Sequence, residues 1–297
     1  MSAYTFSSGL ALLELCHTHR LSICAVMQKR ESAEFGRSEE DVRSEMKRVW
    51  RIMGDAVQSG LERAHNSVGG LVGGEAQKLM AMTSPLLGDP ARRAAAMAMA
   101  TAEVNASMGR IVAAPTAGSC GVLPGVLCAE EYEQERIIDA LFTASAVGML
   151  IQMNASVSGA QGGCQAEVGT ASAMAAAALC ELRGGSPAMA LHAAATALQN
   201  LMGLVCDPVA GLVEVPCVKR NAIGAINALL CADMALCGIT SPIPFDETVG
   251  AMYAVGCAMP QSLRESATGG LAATPTARAL EQSIFGTEQT IPDDLGR

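Results

Sequence analysis

The chain has 297 residues, half of them hydrophobic but only 3% aromatic, with 17 Met, 11 Cys and a formal net charge of −9. That length permits one large domain or two, and with so few aromatics the core volume must come from Ala, Leu, Val and Met in close-packed helices. The acidic balance argues against a nucleic-acid partner, whose phosphates require Lys/Arg surfaces.

From the amino terminus, Met1 to Leu10 lacks a basic n-region, and Leu10 to Leu15 is too short and too polar-flanked for a signal core. The expected compartment is the cytoplasm, where thiols stay free and a disulfide framework is not expected. A helical stretch near 8–30 precedes Ser38 and Asp41, a capping box that opens a helix toward Ala64. Val42, Met46, Val49, Met53, Val57 and Leu61 then recur at spacings of three and four and make one apolar face. The charged run from Lys29 to Arg51 reads as a solvated helix face. Asp89 as N-cap with Pro90 at the first helical position predicts a helix to about Met108. Ser186-Pro187 and Thr274-Pro275 repeat that device, with Gly203 and Gly286 as stops. Further helical stretches fall near 130–151, 167–182, 220–237 and 245–258. Ile111-Val112 and Val213 to Val218 are the β candidates, and both read better as extended loop.

The predicted fold is therefore all-α, a multi-helix single domain over 1–297 with Gly/Pro-rich catalytic loops between helices. Residues 1–88 would form a peripheral helical layer, and 286–297 a loose tail. Ala140 to Gln165 and Gly184 to Cys206 are uncharged and long enough to span a bilayer. They contain Gln152, Asn154, His192, Gln199 and Asn200, and lack basic flanks and aromatic belts. They read as buried helices, with no membrane partner.

Cys164, Cys206 and Cys217 stand apart from the other cysteines because Gly and Pro surround them: Gly162-Gly163-Cys164-Gln165-Ala166-Glu167, then Cys206-Asp207-Pro208 and Val215-Pro216-Cys217. Such residues break helices and hold a sulfur on rigid, loop-like backbone, as a metal or cluster ligand requires. Three thiolates can hold a cluster and leave one metal corner free as a Lewis acid; the competing reading is core thiols on a loop. Cys128, Cys180, Cys231 and Cys237 lie in apolar helical runs and read as core. Ala114 to Leu127 carries Gly118, Gly121 and Gly125 with the hydroxyls of Thr116 and Ser119. It reads either as a loop presenting N–H groups to a carboxylate or as a tight connection. Cys120 is either a further ligand or a thiol lining the pocket. The Gly69-Gly70 and Gly73-Gly74 loop either approaches substrate or simply connects. His17, His19, His65 and His192 show no metal spacing.

At these residues the chain resembles the alpha subunit of bacterial iron–sulfur-dependent L-serine dehydratase. The resemblance runs through Pro-Thr-Ala-Gly-Ser-Cys-Gly from Pro115, Asn154-Ala-Ser-Val-Ser-Gly-Ala, Gly-Cys-Gln-Ala-Glu-Val-Gly and the Cys206 to Asn221 segment. Ile243-Pro244-Phe245-Asp246-Glu247 and Gly269 to Thr276 extend it. It implies a [4Fe–4S] cluster on Cys164, Cys206 and Cys217, with an open iron that takes the hydroxyl of L-serine while a base removes the Cα proton. The product is pyruvate with ammonia, and no pyridoxal phosphate takes part. Thr116, Ser119 and Asn154 would contact substrate; Lys219, Glu167 and His192 are candidate bases, or the partner supplies one. A beta subunit would complete the pocket and make a hetero-oligomer. Two departures stand out: Gln161 occupies a position that is often acidic, and the last cysteine is Cys257, so self-capping of the cluster by a carboxy-terminal cysteine is not expected. The alternatives are an L-cysteine desulfidase on the same scaffold, or a non-catalytic helical subunit with structural zinc or no metal.

Overall fold

Five helices begin where a hydroxyl side chain accepts the backbone N–H three residues on, satisfying a donor that helix geometry leaves unpaired. Ser8, Ser22, Ser38, Ser186 and Thr274 do this for α1 (Gly9–His19), α2 (Ile23–Phe35), α3 (Glu39–Glu62), α10 (Pro187–Leu201) and α13 (Pro275–Phe285). The computed structural model describes residues 3–286, which hold thirteen α-helices and no strand. The expected all-α class is what is found. The tail predicted over 286–297 lies outside the described residues, save Gly286, which closes α13.

Three boundaries differ from the sequence expectation. The 8–30 stretch is two helices bent by 98°, because Arg20 turns left-handed (φ 53°) and Ser22 starts a new cap. Asp89 is not the cap of α5 (Asp89–Ala106): Gly88 is, and Asp89 lies within the first turn, where it pairs with Arg92 at 2.8 Å. Gly121 and Gly125 do not open a loop. They belong to a tight turn and to α6 (Val122–Leu127), and a Cβ on Gly121 would sit 2.0 Å from the Ala98 carbonyl oxygen of α5. Glycine is required there for close backbone approach.

The core forms around α9 (Thr170–Leu182), whose Ala-rich length is buried almost end to end. Small side chains let α7 (Gln134–Asn154), α10 and α11 (Cys217–Leu236) pack closely on it. α12 (Phe245–Ala258) packs on α10, and α5 packs against α11, α3, α6 and α4 (Glu75–Met80). Residues from α1 and α2, including Leu12, Ile23 and Val26, belong to the same apolar cluster as α7 and α9. α7 is long and apolar enough to cross a bilayer, yet 67% of its apolar window is buried inside the protein. A smaller cluster of Val72, Ala76, Met99, Ala100 and Val218 lies beneath the glycine loop.

Candidate functional site

One cavity of about 330 Å³ opens where three loops meet the ends of α9 and α11, and its walls include Thr116, Gly118, Gly159, Glu167, Cys206 and Cys217. Each sulfur arrives by a different local device. Gly163 adopts φ 75°, and Cys164 follows it at the entrance to a π-turn, Gln165–Gly169, that runs into α9. Such turns widen a helix and recur at functional sites. Cys206 lies on extended backbone: its N–H donates to the Leu263 carbonyl (2.8 Å), and its own carbonyl accepts from Glu265 N–H (2.7 Å). Cys217 is the first residue of α11, behind Pro216. The sequence led us to expect loop-borne thiols, but two of the three stand at helix starts, where the helix dipole favours thiolate.

Ligand atoms of Cys164, Glu167 and Cys206 all lie within 4.8 Å of one another, and all three residues are buried. This group could bind a metal. Cys217 shares the cavity wall with Glu167 and Cys206, so the donor set extends to three free thiols and one carboxylate. Soft sulfur donors of this kind suit an iron–sulfur cluster.

The shell around the sulfurs is polar and ordered. Thr116 donates to Glu167 Oε1 at 2.6 Å and lies 3.1 Å from the Ser119 hydroxyl. Asn221, fully buried, accepts Gly121 N–H (2.9 Å) and donates to the carbonyls of Gly118 (2.8 Å) and Cys217 (2.9 Å). It thus pins the Thr116 loop to the helix that begins at Cys217. Glu214, within the segment between Cys206 and Cys217, accepts from Ser67 Oγ, Gly69 N and Leu71 N, which ties in the glycine loop. Arg220 donates to Val205 O, Asp207 Oδ1 and Cys164 Sγ. A hydrogen bond from Cys206 holds Cys164 below the ordinary thiol value of 9.0 against the cost of burial, assisted by the Arg220 charge. The same pairing, with burial, pushes Cys206 up, and burial pushes Cys217 up. Burial also raises Glu167, opposed by its Thr116 hydrogen bond.

Residues 18–272 match the family model described as Serine dehydratase alpha chain. The chain belongs to the serine dehydratase alpha chain family. It is 52% identical to the "Probable L-serine dehydratase, alpha chain" of Bacillus subtilis (strain 168), over 95% of this chain and 96% of that one. With the "L-serine dehydratase, alpha chain" of Peptoniphilus asaccharolyticus it shares 42% identity, over 92% of this chain and 96% of the relative. It is 40% identical to "L-serine dehydratase TdcG" of Escherichia coli (strain K12), over 91% of this chain but 62% of that longer protein. These dehydratases are lyases.

In this member of the family, the residues singled out in the sequence separate into two groups. Thr116, Glu167, Cys206 and Cys217 line the cavity, and Cys164 lies against it. Ser119 is fully buried behind Thr116 and supports it. Asn154, Lys219 and His192 are not among the lining residues. Asn154 donates to the carbonyls of Ser7 (2.9 Å) and Leu150 (2.8 Å) at the end of α7. Lys219 is 63% exposed and pairs with Glu75 at 3.1 Å. Cys120 is fully buried beside the loop and does not line the cavity. Gln161 accepts from Ser156 Oγ at 2.6 Å. Sequence reasoning missed the structural roles of Asn221, Arg220 and Glu214. A signal existed for them, since polar residues beside Cys206 and Cys217 in an apolar run need partners. Glu265 was missed altogether: it lines the cavity from an exposed loop, at φ 59°, and nothing local in the sequence marks it.

Proposed function

We propose that the chain is the cluster-bearing subunit of a cytoplasmic iron–sulfur L-serine dehydratase, converting L-serine to pyruvate and ammonia together with a beta chain. The observation that carries this reading is the meeting of three free thiols from distant segments at one cavity, beside a hydroxyl-bearing loop and two carboxylates. Cys164, Cys206 and Cys217 would hold a [4Fe–4S] cluster. When bound, the cluster supplies a Lewis acid for the substrate hydroxyl.

The remaining chemistry falls to the chain. Thr116 and the backbone through Gly118 form the wall suited to the substrate carboxylate, and Asn221 keeps that wall in register with Cys217. Glu167, held against Thr116, and Glu265 make part of the lining acidic, which suits the substrate ammonium. Glu167 is the candidate for accepting the Cα proton, because its carboxylate is the one set deep in the cavity and aimed by Thr116. Loss of that proton and of the β-hydroxyl leaves aminoacrylate, whose imine tautomer hydrolyses to pyruvate and ammonium.

A second reading has a specific observation behind it. The closest ligand set is Cys164, Glu167 and Cys206, which would also suit a single metal ion. Anaerobic purification with iron and acid-labile sulfide analysis separates the two. We expect iron and sulfide in equal amounts and pyruvate formation from L-serine, both abolished by Cys164→Ser, Cys206→Ser or Cys217→Ser. Metal without sulfide would overturn the cluster reading, and comparing L-serine with L-cysteine as substrate tests the desulfidase alternative.

A further inference from the structure

Arg220 touches more of the site than any ligand does. It lies three residues into α11 from Cys217, so its backbone is rigidly coupled to the third thiol. Its guanidinium donates through Nη1 to the Val205 carbonyl at 2.8 Å and to Cys164 Sγ at 3.5 Å, and through Nη2 to Asp207 Oδ1 at 2.9 Å. Val205 and Asp207 flank Cys206 on either side. Asp207 is itself fixed, since its second oxygen accepts Leu271 N–H at 2.7 Å. The Arg220 and Asp207 side chains are 15% and 4% exposed. A buried ion pair is weak evidence for stability, because desolvation offsets most of the attraction. What it does supply here is geometry.

We propose that Arg220 is a positioning residue for the cluster, one guanidinium holding Cys164, the Cys206 segment and the Cys217 helix at fixed separations. The inference rests on the cluster reading above. Only arginine presents a planar fork with enough donors to serve a carbonyl, a carboxylate and a sulfur together; lysine offers a point charge. A guanidinium N–H aimed at a ligand sulfur also stabilises the reduced cluster, because hydrogen bonds and nearby charge set its potential.

The test compares wild type, R220Q, R220K and D207N after anaerobic reconstitution with iron and sulfide. We measure iron loss to a chelator, the midpoint potential of the cluster, and the thermal midpoint of the cluster-free chain. R220Q is expected to lose iron about tenfold faster or more, the usual size of such outer contacts, with a more negative potential. R220K should fall between R220Q and wild type, and it carries the test if R220Q does not fold. D207N breaks the ion pair but leaves the sulfur contact, so it should lower the thermal midpoint without that negative shift. Wild-type retention and potential in R220Q would overturn the inference, as would identical behaviour of R220Q and D207N, which would make Arg220 a fold staple only. A wild-type chain that takes up no iron and sulfide overturns the cluster reading itself, and this inference with it.

Discussion

At the scale of single residues, the site divides into groups that face the cavity and groups that hold those in place. Asn221 belongs to the second kind. Replacing it with Ala leaves Gly121 N–H and the Gly118 carbonyl without their partner in a buried setting. The expected cost is about 1–3 kcal/mol of stability, the penalty for a buried polar group left unpaired. Serine turnover should fall further than cluster content does, because the loop loses its register while the thiols remain. Denaturant unfolding alongside iron analysis of the N221A variant checks both parts; unchanged turnover would remove the loop from substrate binding. Glu265 belongs to the first kind. Its carboxylate stands at the cavity mouth, so Glu265→Gln should raise the KM for L-serine about tenfold, the size of one charge-assisted contact, with a smaller change in kcat. The effect should shrink as salt is added, since an exposed charge is screened.

Helices show a different kind of order, in which acids from distant segments cap chains of N–H groups. Asp246 accepts Gly9 and Leu10 N–H, Glu181 accepts Ile23 and Cys24 N–H, and Glu103 accepts Gly74, Glu75 and Ala76 N–H. A helix start attracts negative charge, and these carboxylates lock α1, α2 and α4 onto the body of the protein. Burial nonetheless raises Glu181 above the ordinary value of 4.5, despite its hydrogen bonds from Thr143 and the two N–H groups. The sign follows directly. A carboxyl raised in the folded state contributes stability that is full below pH 4.5 and is lost as pH rises through the folded value. Glu181→Gln removes this component. The wild-type advantage in thermal midpoint over E181Q should therefore grow as the pH is lowered from 7 toward 4.5, and a constant difference across that range would contradict it. These remote caps explain what the sequence could and could not disclose. Ser38, Ser186 and Thr274 lie next to the helices they cap, so periodicity and capping residues located α3, α10 and α13 closely. A capping acid such as Glu181, 158 residues from Ile23, leaves no local trace. The left-handed turn at Arg20 is equally silent, because nothing in Arg itself calls for it. The cysteines stood out in the sequence through their Gly and Pro neighbours, and the fold brings them to one cavity, whereas their outer contacts depend on which segments the fold brings together.

Across the whole molecule, two exposed apolar side chains stand near the loop that lines the cavity. Val68 is 65% exposed and Met108 is 83% exposed. Both adjoin the Thr116 loop through short links: Val68 N–H donates to Ala106 O at 3.0 Å, and Asn105 Nδ2 donates to Ala117 O at 3.2 Å. Methionine adapts to a partner's relief, and apolar groups beside a polar cavity mark a place where another surface docks. The alpha chains from Bacillus subtilis and Peptoniphilus asaccharolyticus match this chain over nearly their whole length, while TdcG of Escherichia coli extends well beyond it. On the proposed function, the rim is the seat for the beta chain, which would shield the cavity from water and strengthen the electrostatic contacts within it. Met108→Asp places a charge on that seat without touching a thiol or its outer contacts. We expect beta-chain affinity to fall by about tenfold or more, as for loss of a well-packed interface anchor, with iron and sulfide content of the alpha chain unchanged. Serine turnover should then recover when the beta chain is supplied in excess. Undiminished binding of M108D to the beta chain, measured by calorimetry under anaerobic conditions, would move the docking surface elsewhere on the molecule.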